Sequence, residues 1–322
     1  MRLFLCALLL ALAPSAGHAQ DRMESYAALH AQDVRLAVIA ERILEANLPL
    51  CRNTMPLTGM ILHSQDQYRD PIPDWFDGGP LAVSSIIPGA AADLAGFQSS
   101  DAILAINGTP IADLEITDEQ PLRDFAFAAL AADENSGTLA LSIKREGQTL
   151  DLPLEANQGC RVLVEVLADN DEIARSDGRV LQISYGMAIK LSDKQLAAVF
   201  AHELAHAVLE HRRRLTEAGV ATGFFGEFGR NRRLQRIVEE EADLLSVHLL
   251  HNAGFDPQIA PGFWHSEEGR SFDSGIFRSG RYASPNERAE MMSEEIAGFL
   301  KGHAEVSLAS HLTQKRDMPF PD

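Results

Sequence analysis

Two short segments of this 322-residue sequence together provide histidines and carboxylates at spacings that suit metal binding. The first is His202-Glu203-Leu204-Ala205-His206, in which the two histidines are four positions apart. Residues at i and i+4 share one face of an α-helix, so both imidazoles can reach one metal ion. Neutral imidazole suits Zn²⁺, and a catalytic zinc site keeps one coordination position for water. Glu203 lies beside the first histidine and can accept a proton from that water.

The second segment, Glu239-Glu240-Glu241-Ala242-Asp243, offers the third ligand. Glu239 and Asp243 share a helical face, so one of them can bind the metal while the other orients a ligand histidine. Spacing alone does not choose between Glu239 and Glu240 as the ligand. A solvated acidic face is the alternative interpretation for part of this run.

Both segments fall where the sequence predicts helices. A capping-box pattern at Ser192 predicts a helix over about 193–213. Apolar periodicity and a terminal glycine predict a second helix over about 232–252. Short apolar runs predict strands within 161–190, and a final helix is expected over about 286–301. The candidate ligands are therefore expected on two helices that pack together.

The second half of the chain, residues 160–300, resembles the gluzincin metallopeptidases of the HtpX and CAAX-prenyl-protease type. The resemblance rests on the HExxH segment at 202–206 and on a downstream ExxAD pattern that begins at Glu239. The first glutamate of that pattern binds zinc in the family, which implies that Glu239 is the third ligand and that Asp243 supports the ligands. Family members also pair the substrate with a strand before the metal helix, and its counterpart here is 182–186.

The resemblance implies a complete set of residues for peptide hydrolysis. His202, His206 and Glu239 would bind one Zn²⁺ per chain, and Glu203 would act as the general base. The expected substrates are therefore polypeptides.

One part of the family pattern is altered in this sequence. The family often has a HPxxxxR segment after the zinc ligands, and residues 281–288 differ from it. Counting back from Arg288 places Tyr282 at the histidine position, whereas anchoring on Pro285 places Ser284 there. A tyrosine hydroxyl can donate a hydrogen bond to a developing oxyanion, so Tyr282 is the candidate, with a packed aromatic residue as the alternative.

The chain begins with the features of an export signal. Arg2 precedes an apolar run over 3–13, and small residues follow over 15–19. The apolar run is far shorter than the ~20 residues of a membrane-spanning helix. We therefore expect a signal peptide over 1–19 that is removed, and a periplasmic or secreted protein.

Export changes the interpretation of the three cysteines. Cys6 leaves with the predicted signal, so Cys51 and Cys160 remain. Two cysteines in an oxidising compartment are more often paired than free, which predicts a Cys51–Cys160 disulfide. Two buried thiols are the alternative.

Residues 51–158 resemble a PDZ domain of the bacterial protease-associated kind. The resemblance rests on the segments 88–97 and 101–108, which match the family's two turn-and-strand motifs. It implies that a C-terminal peptide binds between a carboxylate-binding loop with its following strand and a helix over 121–132. A spacer domain without a ligand is the alternative. The residues that the resemblance assigns to the loop and strand are Thr58, Gly59, Met60 and Ile61.

The charge balance limits the classes of partner. Asp plus Glu number 46 and Lys plus Arg number 28, giving a net charge of −18. Such an acidic chain is a poor nucleic-acid binder, because phosphate affinity comes mainly from Lys and Arg. Residues 212–236 are the exception, with arginines, glycines and phenylalanines that favour a lid or a peripheral membrane contact. A solvated linker is the alternative there.

Together these features predict an α+β protein, with a small β-rich PDZ-like domain followed by a mainly helical zincin domain. The expected function is that of an exported zinc metalloendopeptidase acting on misfolded or unassembled envelope proteins. A zinc-bound chaperone and an assembly scaffold acting through the PDZ-like groove are the alternatives. The predicted segments are a signal peptide (1–19), an N-terminal helix (20–50), the PDZ-like domain (51–158), the zinc metallopeptidase domain (159–305) and a C-terminal tail (306–322).

Overall fold

A computed structural model describes most of the chain. The described residues are 16–68, 75–114, 117, 120–132, 138–220, 229–274, 283–302 and 305–320. The predicted signal peptide falls mainly in residues 1–15, which lie outside this set.

Helices and strands are both abundant, as the α+β class requires. The described strands are β1 (Thr54–Pro56), β2 (Met60–Ser64), β3 (Leu81–Ile86), β4 (Ala102–Ile106), β5 (Thr109–Pro110), β6 (Thr138–Arg145), β7 (Gln148–Glu155), β8 (Gln158–Cys160), β9 (Leu163–Leu167), β10 (Ala174–Ser176) and β11 (Val180–Ser184). The described helices are α1 (Ala16–Ala46), α2 (Ala91–Leu94), α3 (Leu122–Leu130), α4 (Tyr185–Ala188), α5 (Asp193–Val208), α6 (His211–Glu217), α7 (Gly229–Asn252), α8 (Ile259–His265), α9 (Glu267–Ser274), α10 (Pro285–Glu295) and α11 (Ser310–Thr313).

The first unit is built on a sheet with strand order β2-β3-β4-β6-β7, with β5 paired to β4. Neighbouring strands in this sheet are antiparallel. The β6–β7 hairpin turns at Glu146-Gly147, where both residues have positive φ, as a type I′ turn requires. Leu81, Ile103 and Leu141 pack beneath α3 in a core of their own.

The second unit holds the candidate metal ligands in a separate and larger core. Its three-stranded sheet has the order β10-β11-β9, so β11 lies in the middle. Helices α5 and α7 pack against each other, and α8 and α10 pack beside them. Leu36 and Ile43 of α1, together with Leu57, belong to this second core. The N-terminal helix is therefore part of the second unit's packing.

Helix α5 is shorter than the sequence predicts, and the difference affects the site. The predicted capping box between Ser192 and Gln195 is present at its start. The helix ends at Val208, because Glu210 adopts the left-handed conformation with φ of +53°. A new helix, α6, then begins at His211.

The basic segment 212–236 is largely helical where the structure describes it. Its first part continues α6, its last part belongs to α7, and residues 221–228 lie outside the described residues. No described helix is both long and apolar enough to cross a bilayer. A lid or membrane-contact role for this segment stays a prediction.

The C-terminal segment, predicted as a tail over 306–322, packs on the second unit over 305–320. Leu312 is buried in the core. His311 and the buried His248 both contact one oxygen of Glu295, at 2.7 and 2.8 Å. Arg316 donates a hydrogen bond to the carbonyl of Leu50 at 2.7 Å. These contacts connect the end of the chain with α7, α10 and the turn after α1.

The predicted disulfide between Cys51 and Cys160 is confirmed, and it closes a loop with a sequence separation of 109. Cross-linking so long a loop restricts the unfolded chain. We expect the Cys51→Ala/Cys160→Ala variant to lose about 2–4 kcal/mol of unfolding free energy. Urea unfolding of the oxidised wild type and the variant measures the difference. Equal midpoints and slopes would contradict a stabilising role for the bond.

Candidate metal centre

The structure brings three of the predicted ligands together from two helices. His202 and His206 lie one turn apart on α5, and Glu239 faces them from α7. The Nε2 atoms of the two histidines are 3.3 Å apart. The carboxylate of Glu239 lies 3.3 Å from Nε2 of His202 and 3.6 Å from Nε2 of His206.

These three distances fit a tetrahedral metal site. Ligand atoms about 2.0–2.1 Å from a tetrahedral Zn²⁺ lie roughly 3.3–3.4 Å from one another. Two imidazoles and one carboxylate also form a donor set that leaves a fourth position for water or substrate. His202, His206 and Glu239 therefore fit a catalytic zinc ion in both chemistry and spacing.

The electrostatics of the three ligands favour a cation between them. Although burial opposes the shift, the carboxylates of Asp243 and Glu239 raise the pKa of His202 to about 10. Burial lowers the pKa of His206 to about 3. Although burial again opposes it, the two histidines lower the pKa of Glu239 to about 2. The two carboxylates thus favour positive charge next to His202, while burial keeps His206 in the neutral form that binds a metal.

Asp243 lies behind the ligands and is held by a buried arginine. One of its oxygens is 3.0 Å from Nδ1 of His202. Arg288 on α10 donates two hydrogen bonds of 2.6 Å to this carboxylate. The guanidinium of Arg288 stacks over the ring of Trp264, 3.6 Å from its centroid. Asp243 is thereby fixed against His202, as the support of a metal ligand should be.

His211 is a supporting residue that the sequence analysis missed. Its Nδ1 lies 2.9 Å from Nδ1 of His206, and its Nε2 lies 3.2 Å from Glu241. Arg214 donates a hydrogen bond to the same Glu241 oxygen at 2.5 Å. A metal bound at Nε2 of His206 would leave the proton on Nδ1, from where it would be donated to His211. Glu241 is buried, so only Glu240 fits the predicted solvated face.

We expect His211→Phe to weaken zinc binding by about 10–100-fold, because His206 loses its hydrogen-bond partner. Competition with a zinc-chelating dye measures the dissociation constant. The exposed His265, changed in the same way, is the matched control and should leave affinity unchanged. Wild-type affinity in the His211 variant would show that this contact does not orient the ligand.

Glu203 occupies the position of a general base without being a ligand. It is 8% exposed and lines the same cavity as the three ligands. Burial raises the pKa of Glu203 to about 7. A carboxylate that titrates near neutral pH is well matched to accepting and returning a proton.

The three metal ligands line a cavity of about 400 Å³, and the edge of a β-sheet forms part of its wall. Ala174, Arg175 and Ser176 of β10 line this cavity, and β10 is an outer strand of its sheet. The expectation that 182–186 pairs with substrate is wrong, because β11 is bonded on both sides by β10 and β9. Within the described part of the chain, the outer edge of this sheet next to the cavity belongs to β10.

Tyr282 and Ser284 are the two positions that the sequence analysis aligned with the family's histidine, and Tyr282 was the candidate for stabilising an oxyanion. Tyr282 lies outside the described residues. Ser284 caps helix α10, where its hydroxyl accepts the backbone N–H of Glu287. Ser284 is thus committed to the helix start. Arg288, used in the sequence only to align this segment, is the residue that reaches the site, through Asp243.

The predicted peptide-binding loop also borders a cavity. Thr58 and Gly59 precede the outer strand β2, which contains Met60 and Ile61. All four residues line a cavity of about 520 Å³ between β2, α3, α1 and β9. The geometry agrees with a groove for an extended chain, and its use as one stays a prediction.

A second cluster of possible ligands differs from the first in its spacing. His248, Glu295 and His311 also converge. Their separations of 2.8 and 2.7 Å are those of hydrogen bonds from the two imidazoles to one carboxylate oxygen. Ser307 contacts the other ring nitrogen of His248 at 2.7 Å. We interpret this cluster as a hydrogen-bonded clamp for the C-terminal segment.

Comparison with known proteins finds a family similarity in one part of the chain. No curated protein matches this chain. A solved structure described as a PDZ domain protein from Parabacteroides distasonis ATCC 8503 is 18% identical, over 34% of this chain and 21% of that chain. The chain therefore spans about a fifth of that protein's length. The TM-score is 0.23, and a likeness of that extent carries no argument about the fold.

A family model, Peptidase family M48, matches residues 174–231. The matched segment begins in β10 and contains all of α5 with His202, Glu203 and His206. It ends before Glu239 on α7. Over residues 174–231 the chain is similar to the metallopeptidases of family M48, and this match supports a metallopeptidase function.

Proposed function

We propose that this protein is an exported zinc-dependent endopeptidase. The observation that carries the proposal is the convergence of His202, His206 and Glu239 at tetrahedral spacing, beside the buried carboxylate of Glu203. A zinc ion bound there would polarise a peptide carbonyl and lower the pKa of water. The M48 match supports the same class of reaction.

Glu203 performs the proton transfers in this proposal. It takes a proton from the attacking water and returns one to the amine that leaves when the peptide bond breaks. Asp243 and His211 hold His202 and His206 in place during the reaction. Neither supporting residue needs to exchange protons with the substrate.

The substrate would bind as an extended strand. Strand β10 borders the cavity with its outer edge, and an extended peptide can pair with such an edge through backbone hydrogen bonds. Backbone pairing recognises a polypeptide with little regard to its sequence. Misfolded or unassembled envelope proteins supply such exposed extended segments, so we propose them as substrates.

The groove beside β2 would recruit these polypeptides before cleavage. Its distinct cavity, lined by Thr58, Gly59, Met60 and Ile61, supports this role. Export rests on the N-terminal sequence pattern and on the disulfide, which is typical of oxidising compartments.

Digestion of unfolded β-casein, analysed by mass spectrometry for new internal termini, tests the proposal. The purified chain loaded with zinc should generate internal cleavage products, and 1,10-phenanthroline should stop their formation. Absence of products, together with suppression of casein aggregation by the intact chain, would favour a zinc-bound chaperone instead.

A further inference from the structure

The cavity beside β2 is bounded by elements of both units. Strand β2 and helix α3 form one side, while α1 and β9 form the other. Both β2 and β9 are outer strands of their sheets among the described residues. The edge of β9 is partly used by α1, because Asp33 accepts the N–H of Val166 at 2.8 Å. Strand β2 therefore offers the edge to which an incoming peptide can add.

The loop before β2 already satisfies part of its own backbone. Thr58 accepts the backbone N–H of Met60 through its hydroxyl at 3.2 Å. The carbonyl of Gly59 accepts the N–H of Ile87 at 2.8 Å. Gly59 has a φ of +69°, and a Cβ there would lie 2.3 Å from Cβ of Ala90. The loop is thus tightly fixed, and one amide that could hold a ligand carboxylate is occupied.

A carboxylate of the protein's own lies at this loop. A Cβ on Gly59 would lie 3.6 Å from Oε2 of Glu41. Within the described residues, no hydrogen-bond donor contacts the carboxylate of Glu41. Burial, reinforced by Glu45, raises the pKa of Glu41 to about 7. Glu41 is therefore a partly buried acid that lacks a counterpart and would repel a second carboxylate.

Most of the other charged side chains that line the groove are acidic. Asp33 and Glu165 line it together with Glu41. The lining guanidinium of Arg123 is engaged by Asp124 and Glu165. Burial raises the pKa of Asp33 as well as that of Glu41 to about 7, so both acids are only partly ionised at neutral pH. A cationic side chain placed beside Glu41 would favour the ionised form of that carboxylate and be attracted to it.

We propose that this groove binds an internal extended segment carrying a lysine or arginine next to Glu41, rather than a free C-terminal carboxylate. The peptide backbone pairs with β2, its apolar side chains face α3, and its basic side chain donates to Glu41. This inference deepens the recruitment step of the proposed function. It also replaces the expectation of a C-terminal peptide ligand.

The test measures peptide binding without cleavage. Fluorescein-labelled ten-residue peptides of alternating Val and Thr carry one guest residue, either Lys, norleucine or Glu, scanned through the central positions. Each peptide is made both as a free acid and as a carboxamide. Fluorescence anisotropy then gives Kd for the full chain carrying Glu203→Gln, in which hydrolysis is expected to be too slow to deplete the probe.

We expect the best Lys peptide to bind roughly fivefold more tightly than its norleucine counterpart. Its acid and amide forms should agree within about twofold. Glu41→Gln should abolish the Lys preference. Glu45→Gln should retain it, because this neighbouring acid is exposed, contacts Asn157 and does not line the groove. This matched pair also separates binding in the groove from binding in the catalytic cleft.

Three results would overturn the inference. They are binding of free-acid peptides alone, a Lys preference that survives Glu41→Gln, and no binding by any peptide. Casein cleavage by the wild type is measured in a separate assay. Failure of the proposed peptide recognition can therefore be distinguished from failure of the proposed peptidase activity.

Discussion

Replacing Glu203 with Gln is expected to lower kcat for peptide hydrolysis by roughly 10²–10⁴-fold while leaving the zinc content unchanged. The carboxamide keeps the size of the side chain but cannot accept a proton from water. Glu203 lines the cavity with the ligands, and burial raises its pKa to about 7, so it is poised for that transfer. The metal ligands His202, His206 and Glu239 are untouched by the change.

Hydrolysis of a quenched fluorescent peptide measures kcat, and inductively coupled plasma mass spectrometry measures zinc per chain. Glu240→Gln is the matched control, because Glu240 is adjacent to the ligand Glu239 yet pairs with Arg236 at 2.7 Å on the surface. That variant should keep wild-type kcat. A Glu203→Gln variant with wild-type kcat and full zinc content would remove Glu203 from the mechanism.

The Asp243→Asn variant is expected to lose both stability and zinc affinity. Asp243 is 1% exposed and is held by two hydrogen bonds from the buried Arg288. Removing the charge takes the carboxylate that accepts two hydrogen bonds away from the buried Arg288 guanidinium, and breaking such a buried ion pair costs about 3–5 kcal/mol of unfolding free energy. The contact with His202 also weakens, and loss of such a supporting contact lowers zinc affinity by about 10–100-fold.

A second substitution separates these two effects. In Asp243→Asn/Arg288→Met the buried guanidinium is replaced by an apolar side chain, so part of the stability should return. Zinc affinity should stay low, because His202 still lacks its carboxylate. Urea unfolding of the metal-free proteins and zinc competition measure the two quantities. Wild-type zinc affinity in either variant would contradict the supporting role of Asp243.

Local sequence periodicity accounts for the part of the site that was predictable. His202 and His206 needed only helical spacing, and the capping box at Ser192 located the helix. Glu239 lies on a different helix, so its meeting with the histidines depends on how α5 and α7 pack. The spacing of residues in the sequence could not predict that packing, and the family resemblance was needed to choose Glu239 over Glu240 as the ligand.

The role of His211 depends on a break that the sequence pattern did not reveal. A continuous helix would place His211 five positions after His206, on a different face. The left-handed conformation of Glu210 ends α5 and turns the chain, which brings the two rings together. Non-glycine residues adopt this conformation rarely, so local propensity did not indicate it.

The edge of β10 at the catalytic cavity and the surroundings of the groove beside β2 could also not be predicted from local sequence patterns. Strand β10 has only three residues, Ala174–Ser176, which is too short for an alternating pattern to be recognised. Helix α1 was predicted, but its periodicity does not show which elements it packs against. The structure places Glu41 of α1 beside Gly59, and the proposed ligand of the groove rests on this long-range contact.

Stepwise return of zinc to the metal-free wild-type chain tests the central claim most directly. The rate of casein hydrolysis is followed as zinc is added from zero to three equivalents per chain. We expect no activity without metal and a linear rise that stops at one equivalent, because His202, His206 and Glu239 form one site. Full activity in the metal-free chain, or no activity at any zinc content, would contradict a zinc peptidase.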